Sequence, residues 1–404
     1  MTNCRICNAP LNEFIDFGRM PIANGFLAPE QTDSEYFFGL RVGFCAACNM
    51  VQLIEQPERE RMFNENYAYF SSISVRMEQH FKAFADMVLR DYLGGDPFVV
   101  ELGSNDGIML HNFVDAGIRH LGVEPSQNVA EAARSRGVNT ICSFFDEALA
   151  GEIKAQNGPA DAILAANVMC HIPYLHSVAA GMKSLLKPEG VVIFEDPYLG
   201  DIIENTAYDQ IYDEHVFYFS VSSVACLFEQ HGMEVVDVLP QHTHGGSMRY
   251  VIAQKGKRAV SPAVAEQKRK EARLGLDRLE TFHRFRSEVE ASRDALKAVL
   301  QGLKAEGRRV VGYGATSKST TVTVYCGITP ELVEFISDTT PSKQGKLSPG
   351  AHIPVRPYAD FAAAPPDVAL LFAWNHGEEI MEKEAAFRRE GGKWLRYVPK
   401  VEIL

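Results

Sequence analysis

A phenol, two carboxylates and an imidazole occupy four consecutive positions, Tyr212-Asp213-Glu214-His215, inside the unusual run 208–220. Imidazole is the common general base near neutral pH. His215 is therefore the candidate base, with Glu214 or Tyr212 to orient it. Asn167 and His171 follow the apolar run 162–166 and fall at the carboxyl end of an expected strand, where open α/β sheets bind ligands. A third group, His242-Thr243-His244-Gly245-Gly246, pairs imidazoles with glycines that let a ligand approach the backbone. His244 is a candidate substrate contact there, or a plain turn residue. Tyr67 and Tyr69 stand close to Ser71 and Ser72. They read as a substrate-binding lid, or as a turn before a helix capped by Ser72 or Ser74.

Four of the eight cysteines form two CxxC pairs, Cys4/Cys7 and Cys45/Cys48. This spacing resembles a zinc-ribbon-like site. Four thiolates suit tetrahedral zinc and leave no open position, so the expected role is structural. So small a region buries little core on its own, and metal binding would supply folding energy of order 10 kcal/mol. The loop between the pairs, GRMPIANGFL at 18–27, carries apolar residues that should dock on another part of the chain.

These groups need elements to hold them. Phe98, Val99 and Val100 make the apolar run of a buried strand, followed by Glu101, the turn Gly103-Ser104-Asn105-Asp106-Gly107 and a helical segment at 108–116. Glycine permits close approach and a helix start offers free N–H groups. A dinucleotide fingerprint requires G-x-G-x-x-G. The pattern here is E-x-G-x-x-x-G, whose acids would repel a pyrophosphate but suit an ammonium or a ribose. It resembles the first motif of class I S-adenosylmethionine (SAM) methyltransferases. By that resemblance Glu124, ending a second strand at 120–124, holds the cofactor's ribose. Ser143-Phe144-Phe145-Asp146 then resembles the segment flanking its adenine, with Phe144 or Phe145 packing on the ring.

Further strands are expected at 162–166, 190–195 and 247–253 with helices between, an alternation that argues for an open, mostly parallel sheet. The segment 75–92 reads as an amphipathic helix with Met77, Phe81, Phe84, Met87 and Val88 on one face. Residues 258–307 read as one or two helices joining domains. The strand 309–313 leads into Gly314-Ala315-Thr316-Ser317-Lys318, which looks like a degenerate Rossmann turn. Lys318 and Ser317 there are candidates to hold a phosphate-bearing ligand. A strand ending in Asp338 follows, and VALLFAW at 368–374 is expected to be the last strand. With 404 residues, 46% apolar content and a net charge of −12, the chain is expected to be soluble and cytoplasmic, and neither a nucleic-acid binder nor a membrane protein.

The cysteine set, E-L-G-S-N-D-G, Y-D-E-H at 212–215 and GYGATSKST occur in one order that resembles the three-part zinc-containing sugar C-methyltransferase family. The resemblance covers essentially the whole chain. It implies an α/β protein with a zinc-binding domain at 1–70, a central class I SAM methyltransferase domain at 71–256, and a helical linker plus C-terminal Rossmann-like substrate-binding domain at 257–404. It further implies SAM and structural Zn2+ as cofactors, and methylation at C-3 of a nucleotide-linked 4-keto-6-deoxy sugar through an enolate. In that reading Glu101, Gly103, Asp106, Glu124, Phe144 and Asn167 bind SAM. His215, Glu214, Tyr212, His171 and Tyr67 serve the chemistry. Tyr69, His244, Ser317 and Lys318 meet the sugar nucleotide. Two other readings remain at this point: an O- or N-methyltransferase on a small metabolite, and a nicotinamide-dependent sugar oxidoreductase using the C-terminal unit.

Overall fold

The computed structural model describes residues 2–62 and 75–404; Tyr67, Tyr69, Ser71 and Ser72 lie outside the described residues. Three sheets account for the strands. The first is antiparallel and holds β1 (Asn12–Pro21), β2 (Phe37–Phe44) and β3 (Val51–Leu53), with the two-residue strand Phe217–Tyr218 hydrogen-bonded to β3. That fourth strand comes from the run carrying His215. The N-terminal region is therefore not a self-contained unit, because its sheet is completed by a strand from the central part of the chain.

Its core is shared in two directions. Cys4, Ile6, Cys45, Cys48 and Met50 belong to one apolar cluster with the central sheet. Phe14, Phe17, Leu40 and Phe44 pack instead with Phe282, Val310 and Val322 of the C-terminal part. Phe282 lies 5.0 Å from Phe14 and 4.5 Å from Phe44 between ring centroids.

The central sheet contains β4 (Phe98–Leu102), β5 (Arg119–Val123), β6 (Thr140–Ile141), β7 (Ala160–Ala166), β8 (Leu186–Pro197), β9 (Met233–Gln241) and β10 (Ser247–Gln254). Their order is β9-β10-β8-β7-β4-β5-β6, and only β10 runs against its neighbours. β4 is buried along its whole length, as its unbroken apolar run requires of a strand covered on both faces. One cover is the helix Val75–Asp91, which buries Met77, Phe81, Phe84 and Val88 against Val99 and Ile193. β9 is absent from the sequence reading: its alternation is broken by Glu234 and Asp237, and pairing with β10 forms it.

Two helices, Pro262–Leu274 and Leu279–Ala305, form the linker. The break is local: Ser261 caps the first helix through Ala263 N, Pro262 starts it, and Gly275 ends it at φ 73°. Buried Glu271 ties this helix to the central domain, accepting from Tyr198 Oη at 3.0 Å and from Val221 N at 2.6 Å. The third sheet holds β11 (Val310–Tyr313), β12 (Ile336–Asp338), β13 (Val355–Pro357), β14 (Val368–Leu371), β15 (Lys393–Arg396) and β16 (Glu402–Ile403). Their order is β13-β12-β11-β14-β15-β16, parallel except for β16. The strand at 368–374 is thus not the last. It stops at Leu371 and becomes interior, flanked by β11 and β15. No helix among the described residues is long and apolar enough to cross a membrane.

Candidate active site and metal centre

The four N-terminal cysteines converge, with their sulfurs all within 4.8 Å of one another. Cys4 and Cys48 Sγ are 3.5 Å apart, and Cys7 and Cys45 Sγ 3.4 Å. Tetrahedral Zn–S bonds of about 2.3 Å place sulfurs about 3.8 Å apart, so the cage fits zinc with small adjustments. Each pair sits in the same tight turn: Asn8 and Asn49 follow at φ 61° and 59°, and their N–H groups bond the Cys4 and Cys45 carbonyls at 2.9 Å. Asparagine tolerates that left-handed conformation. Ile6 N also donates to Cys4 Sγ at 3.3 Å. A free thiol cluster would strain to share protons, whereas a dication suits it.

The second feature is a cavity of about 300 Å³ that opens at the carboxyl ends of β4, β5, β7 and β8 and runs to the first turn after β11. Its lining includes Gly103, Glu124, Phe144, Asn167, His171, Tyr212, Glu214, His215, His244, Ser317 and Lys318. One wall is the β4 turn. Gly103 has φ 60°, and a Cβ there would lie 2.3 Å from Val168 Cγ2, so the backbone itself borders the cavity. Asn167 also adopts a left-handed turn at φ 57°, with its N–H on the Glu195 carbonyl at 2.7 Å.

The acids of this wall divide. Glu124 faces the cavity, and its two oxygens accept from Asn105 N at 3.0 Å and Ser126 N at 2.8 Å. Glu101 lies beneath, outside the lining, with burial and then Glu124 and Asp106 pushing its carboxyl well above the usual range. Asp106 is also outside the lining, fully buried and ion-paired with Arg136 at 3.3 Å. The turn's carboxylate is thus directed into the fold. The expected run of free helix N–H groups is missing as well, because the helix begins only at His111 and is five residues long. Phe144 borders the cavity under the Arg59 guanidinium, 4.1 Å from the ring centroid, whereas Phe145 is core. A cofactor with a ribose and an adenine matches this wall of one carboxylate, Glu124, polar backbone and an aromatic face.

The opposite wall holds the imidazoles. His215 Nδ1 meets the Gln210 carbonyl at 2.8 Å, which requires the proton on Nδ1. Nε2 therefore carries the lone pair and accepts from Tyr212 Oη at 2.9 Å. Burial, followed by the neighbouring His171, holds His215 well below its ordinary value, and burial holds His171 at about 4, so both rings are neutral. The two stack with centroids 5.2 Å apart. Of the two residues considered for orienting the candidate base, Tyr212 or Glu214, Tyr212 bonds its Nε2 and Glu214 is bonded elsewhere; the Gln210 carbonyl fixes the ring at Nδ1. Glu214 Oε1 accepts from Asn24 Nδ2 at 2.7 Å, and burial pushes its carboxyl up to about 7.

Asn24 is the residue that pattern reading missed. It lies on the 18–27 loop, far away in sequence, and its Oδ1 also accepts from Ser317 Oγ at 2.9 Å. Ala23 N bonds Asp213 Oδ1 at 2.9 Å, and Thr320 Oγ1 bonds the Ala23 carbonyl at 3.0 Å. The N-terminal loop therefore clamps the 212–215 run to the helix Ser317–Tyr325. Its apolar residues signalled docking but not where.

Lys318 is buried, 8% exposed, and its Nζ donates to the His244 carbonyl at 3.3 Å. Burial depresses its ammonium and Asp209 opposes that. Asp209 in turn accepts from Trp374 Nε1 at 2.5 Å and Tyr397 Oη at 2.8 Å. His244 takes φ 56° between the cavity and Gly245, and burial holds it neutral, at about 3. The C-terminal turn itself is filled from within: Asp338 accepts from Ala315 N and Thr340 N, each at 2.7 Å. A second internal tie is Glu195 at the end of β8, bonded to His80 at 2.7 Å, Thr243 at 2.9 Å and Arg249 at 2.7 Å. Burial works against that carboxylate, but His80 and Arg249 together hold it at about 2.

Comparison with known proteins matches three family models in chain order: a zinc binding domain over residues 4–63, a methyltransferase domain over 77–238, and a C-methyltransferase C-terminal domain over 242–399. The C-methyltransferase NovU of Streptomyces niveus is 35% identical over 99% of this chain and 96% of its own. Among solved structures, magnesium protoporphyrin IX methyltransferase of Synechocystis PCC 6803 with bound SAM covers 49% of this chain and 89% of its own, at 13% identity and a TM-score of 0.35. A SAM-dependent methyltransferase of Anabaena variabilis ATCC 29413 covers 44% and 86%, at 16% identity and a TM-score of 0.36. At those scores neither structural likeness carries weight.

Proposed function

The chain belongs to the family of SAM-dependent C-methyltransferases with a zinc-binding region, a methyltransferase domain and a C-terminal domain, and on that premise we propose that it methylates C-3 of a nucleotide-linked 4-keto-6-deoxy sugar through an enolate. The observation that carries this reading is that one cavity joins the Gly103–Glu124 wall to the His215–Tyr212 pair and Lys318. SAM supplies an electrophilic methyl group. The residues of this chain must expose a carbon nucleophile to it.

A C–H beside a ketone is weakly acidic until charge on the oxygen is stabilised. His215 Nε2 takes the C-3 proton once the Tyr212 hydroxyl turns from it to the substrate oxygen, with Nδ1–H held on Gln210. Its depressed basicity places much of the burden on the developing oxyanion. Donors aimed at that oxygen stabilise the transition state far more than they would in water. Lys318 is the buried cation beside this space, and Tyr212 Oη and His171 border the same cavity. The sequence reading gave Lys318 to the diphosphate or nucleotide. Its burial at the His244 carbonyl favours the sugar's C-4 oxygen instead, which leaves Thr316, Ser317, Asn375 and His376 to border the nucleotide. Glu124, Asn105 and Phe144 meet the cofactor's ribose and adenine, and proximity supplies much of the remaining rate.

The test is mass spectrometry of the protein with SAM and a panel of nucleotide-linked 4-keto sugars in deuterated water. A gain of one methyl on one sugar, with SAM-independent exchange of its C-3 hydrogen, is expected. The variant His215→Asn should keep SAM binding and lose about 10²–10⁴-fold in exchange and transfer. A methyl group found on oxygen or nitrogen, or full exchange in the variant, would overturn the assignment.

A further inference from the structure

The mechanism leaves one nucleophile unused beside the candidate base. Cys170 is buried behind the two imidazoles that line the cavity, and the ligand atoms of Cys170, His171 and His215 all lie within 4.8 Å of one another. We infer that Cys170, His171 and His215 form a second metal site, for a divalent ion of the zinc class, and that its occupancy blocks catalysis. The blockade rests on the function proposed above; the site itself does not.

A thiolate and two imidazoles are a donor set that selects zinc, cobalt or cadmium over magnesium or calcium. Bond lengths of about 2.3 Å to sulfur and about 2.0 Å to nitrogen require donors about 3.3–3.6 Å apart. The three atoms reach that by closing on a metal through an ångström or so. A metal-bound imidazole ordinarily donates its other N–H to a carbonyl or carboxylate, and His215 already does so to Gln210 at 2.8 Å. Nε2 is then the donor atom, and the metal displaces the Tyr212 hydroxyl from it. Behind the thiol stands Asp196, whose Oδ2 accepts from Cys170 N at 3.3 Å; burial first, then Asp196 and Glu214, push the thiol well above its ordinary value, which a bound metal must overcome. Burial pushes the Asp196 carboxyl up to about 8 and that of Glu214 up to about 7, so each favours a dication there once it has ionised. Lys318 works against it but is offset by Asp209. On binding, a metal–sulfur and two metal–nitrogen bonds form and one thiol proton passes to solvent. A fourth ligand would come from the cavity that His171 and His215 line. With the metal present His215 has no lone pair left for a C–H.

The experiment titrates Co(II) into the full-length protein whose four-cysteine site has first been filled with zinc. One further equivalent should bind, with thiolate-to-cobalt charge-transfer absorption and tetrahedral d–d bands, and methyl transfer should cease at that equivalence point and return on mild chelation. In Cys170→Ala the charge-transfer band should vanish and the inhibitory concentration rise at least ~10-fold, with metal-free turnover retained. Cys170→Ser, which keeps the volume, guards against a folding defect. Absence of a second equivalent, an unchanged band in both variants, or full turnover with the second equivalent bound would overturn the inference. Because the absorption titration needs no sugar, failure of the site and failure of the proposed reaction are read separately.

Discussion

Glu214→Gln should make the protein more stable in alkali by about 3 kcal/mol relative to the parent. The wild-type carboxyl is buried, and its value moves from an ordinary 4.5 to about 7 because burial disfavours the charge more than the Asn24 amide and Lys343 favour it. Below pH 4.5 both folded and unfolded chains carry the proton, and the group contributes no difference. Between 4.5 and 7 the unfolded chain releases it while the folded chain holds it, so stability falls as pH rises. Above 7 both are ionised and the loss is complete. At about 1.4 kcal/mol per pH unit, that interval corresponds to about 3 kcal/mol. Glutamine keeps an oxygen for Asn24 Nδ2, bonded at 2.7 Å, and removes the titration. Urea unfolding of parent and variant from pH 4.5 to 9 gives the difference curve, in which groups beyond the reach of the Glu214 charge cancel, while Asp213 and Cys170, which feel it, do not. It should be flat at its acid end, rise through pH 5–7 and level off. A flat difference across the whole range would show that Glu214 does not carry a raised value and would refute the electrostatic account of this wall.

Three further outcomes follow from the same contacts. Asn24→Ala removes a bond to Glu214 and one to Ser317, and should cost about 1.5–3 kcal/mol, or about 10–150-fold in substrate affinity, with the activity profile shifted to higher pH as Glu214 rises; an unchanged profile would detach Asn24 from the site. Gly103→Ala places a Cβ 2.3 Å from Val168 Cγ2 at φ 60° and should weaken SAM binding at least ~10-fold by calorimetry, more than it lowers stability. Arg249→Met strips buried Glu195 of the guanidinium that donates twice to its Oε2 and should destabilise by about 3–5 kcal/mol, recovered in part by adding Glu195→Gln; equal stability of single and double variants would contradict the pairing.

Zinc removal bears on how the regions depend on one another. Cys4 and Cys48 belong to the central core, and Phe14 and Phe44 to the C-terminal one. Chelation should therefore loosen both, rather than release a small domain from an intact remainder.

Much of this molecule was readable in the chain. Two CxxC pairs dictate a tetrahedral thiolate cage because four sulfurs and tight turns leave little else to do. The strand at β4, its glycine turn and the acid at Glu124 follow from local sequence, since an apolar run and a backbone that must take φ 60° are properties of consecutive residues. The sequence left one linker helix or two open; the break lies at Gly275, which ends the first helix at φ 73°. What only the tertiary structure decided is where side chains meet across long separations. Nothing near Asp106 in sequence says that Arg136 takes its carboxylate into the fold. Tyr212 and His215 were legible as neighbours, but the carbonyl that fixes the tautomer depends on the path of the loop at Gln210. Asn24 reaches Glu214 across 190 residues, and Ser317 reaches Asn24 across 293. Such contacts form because three sheets pack around shared cores, which periodicity and spacing within one segment do not encode.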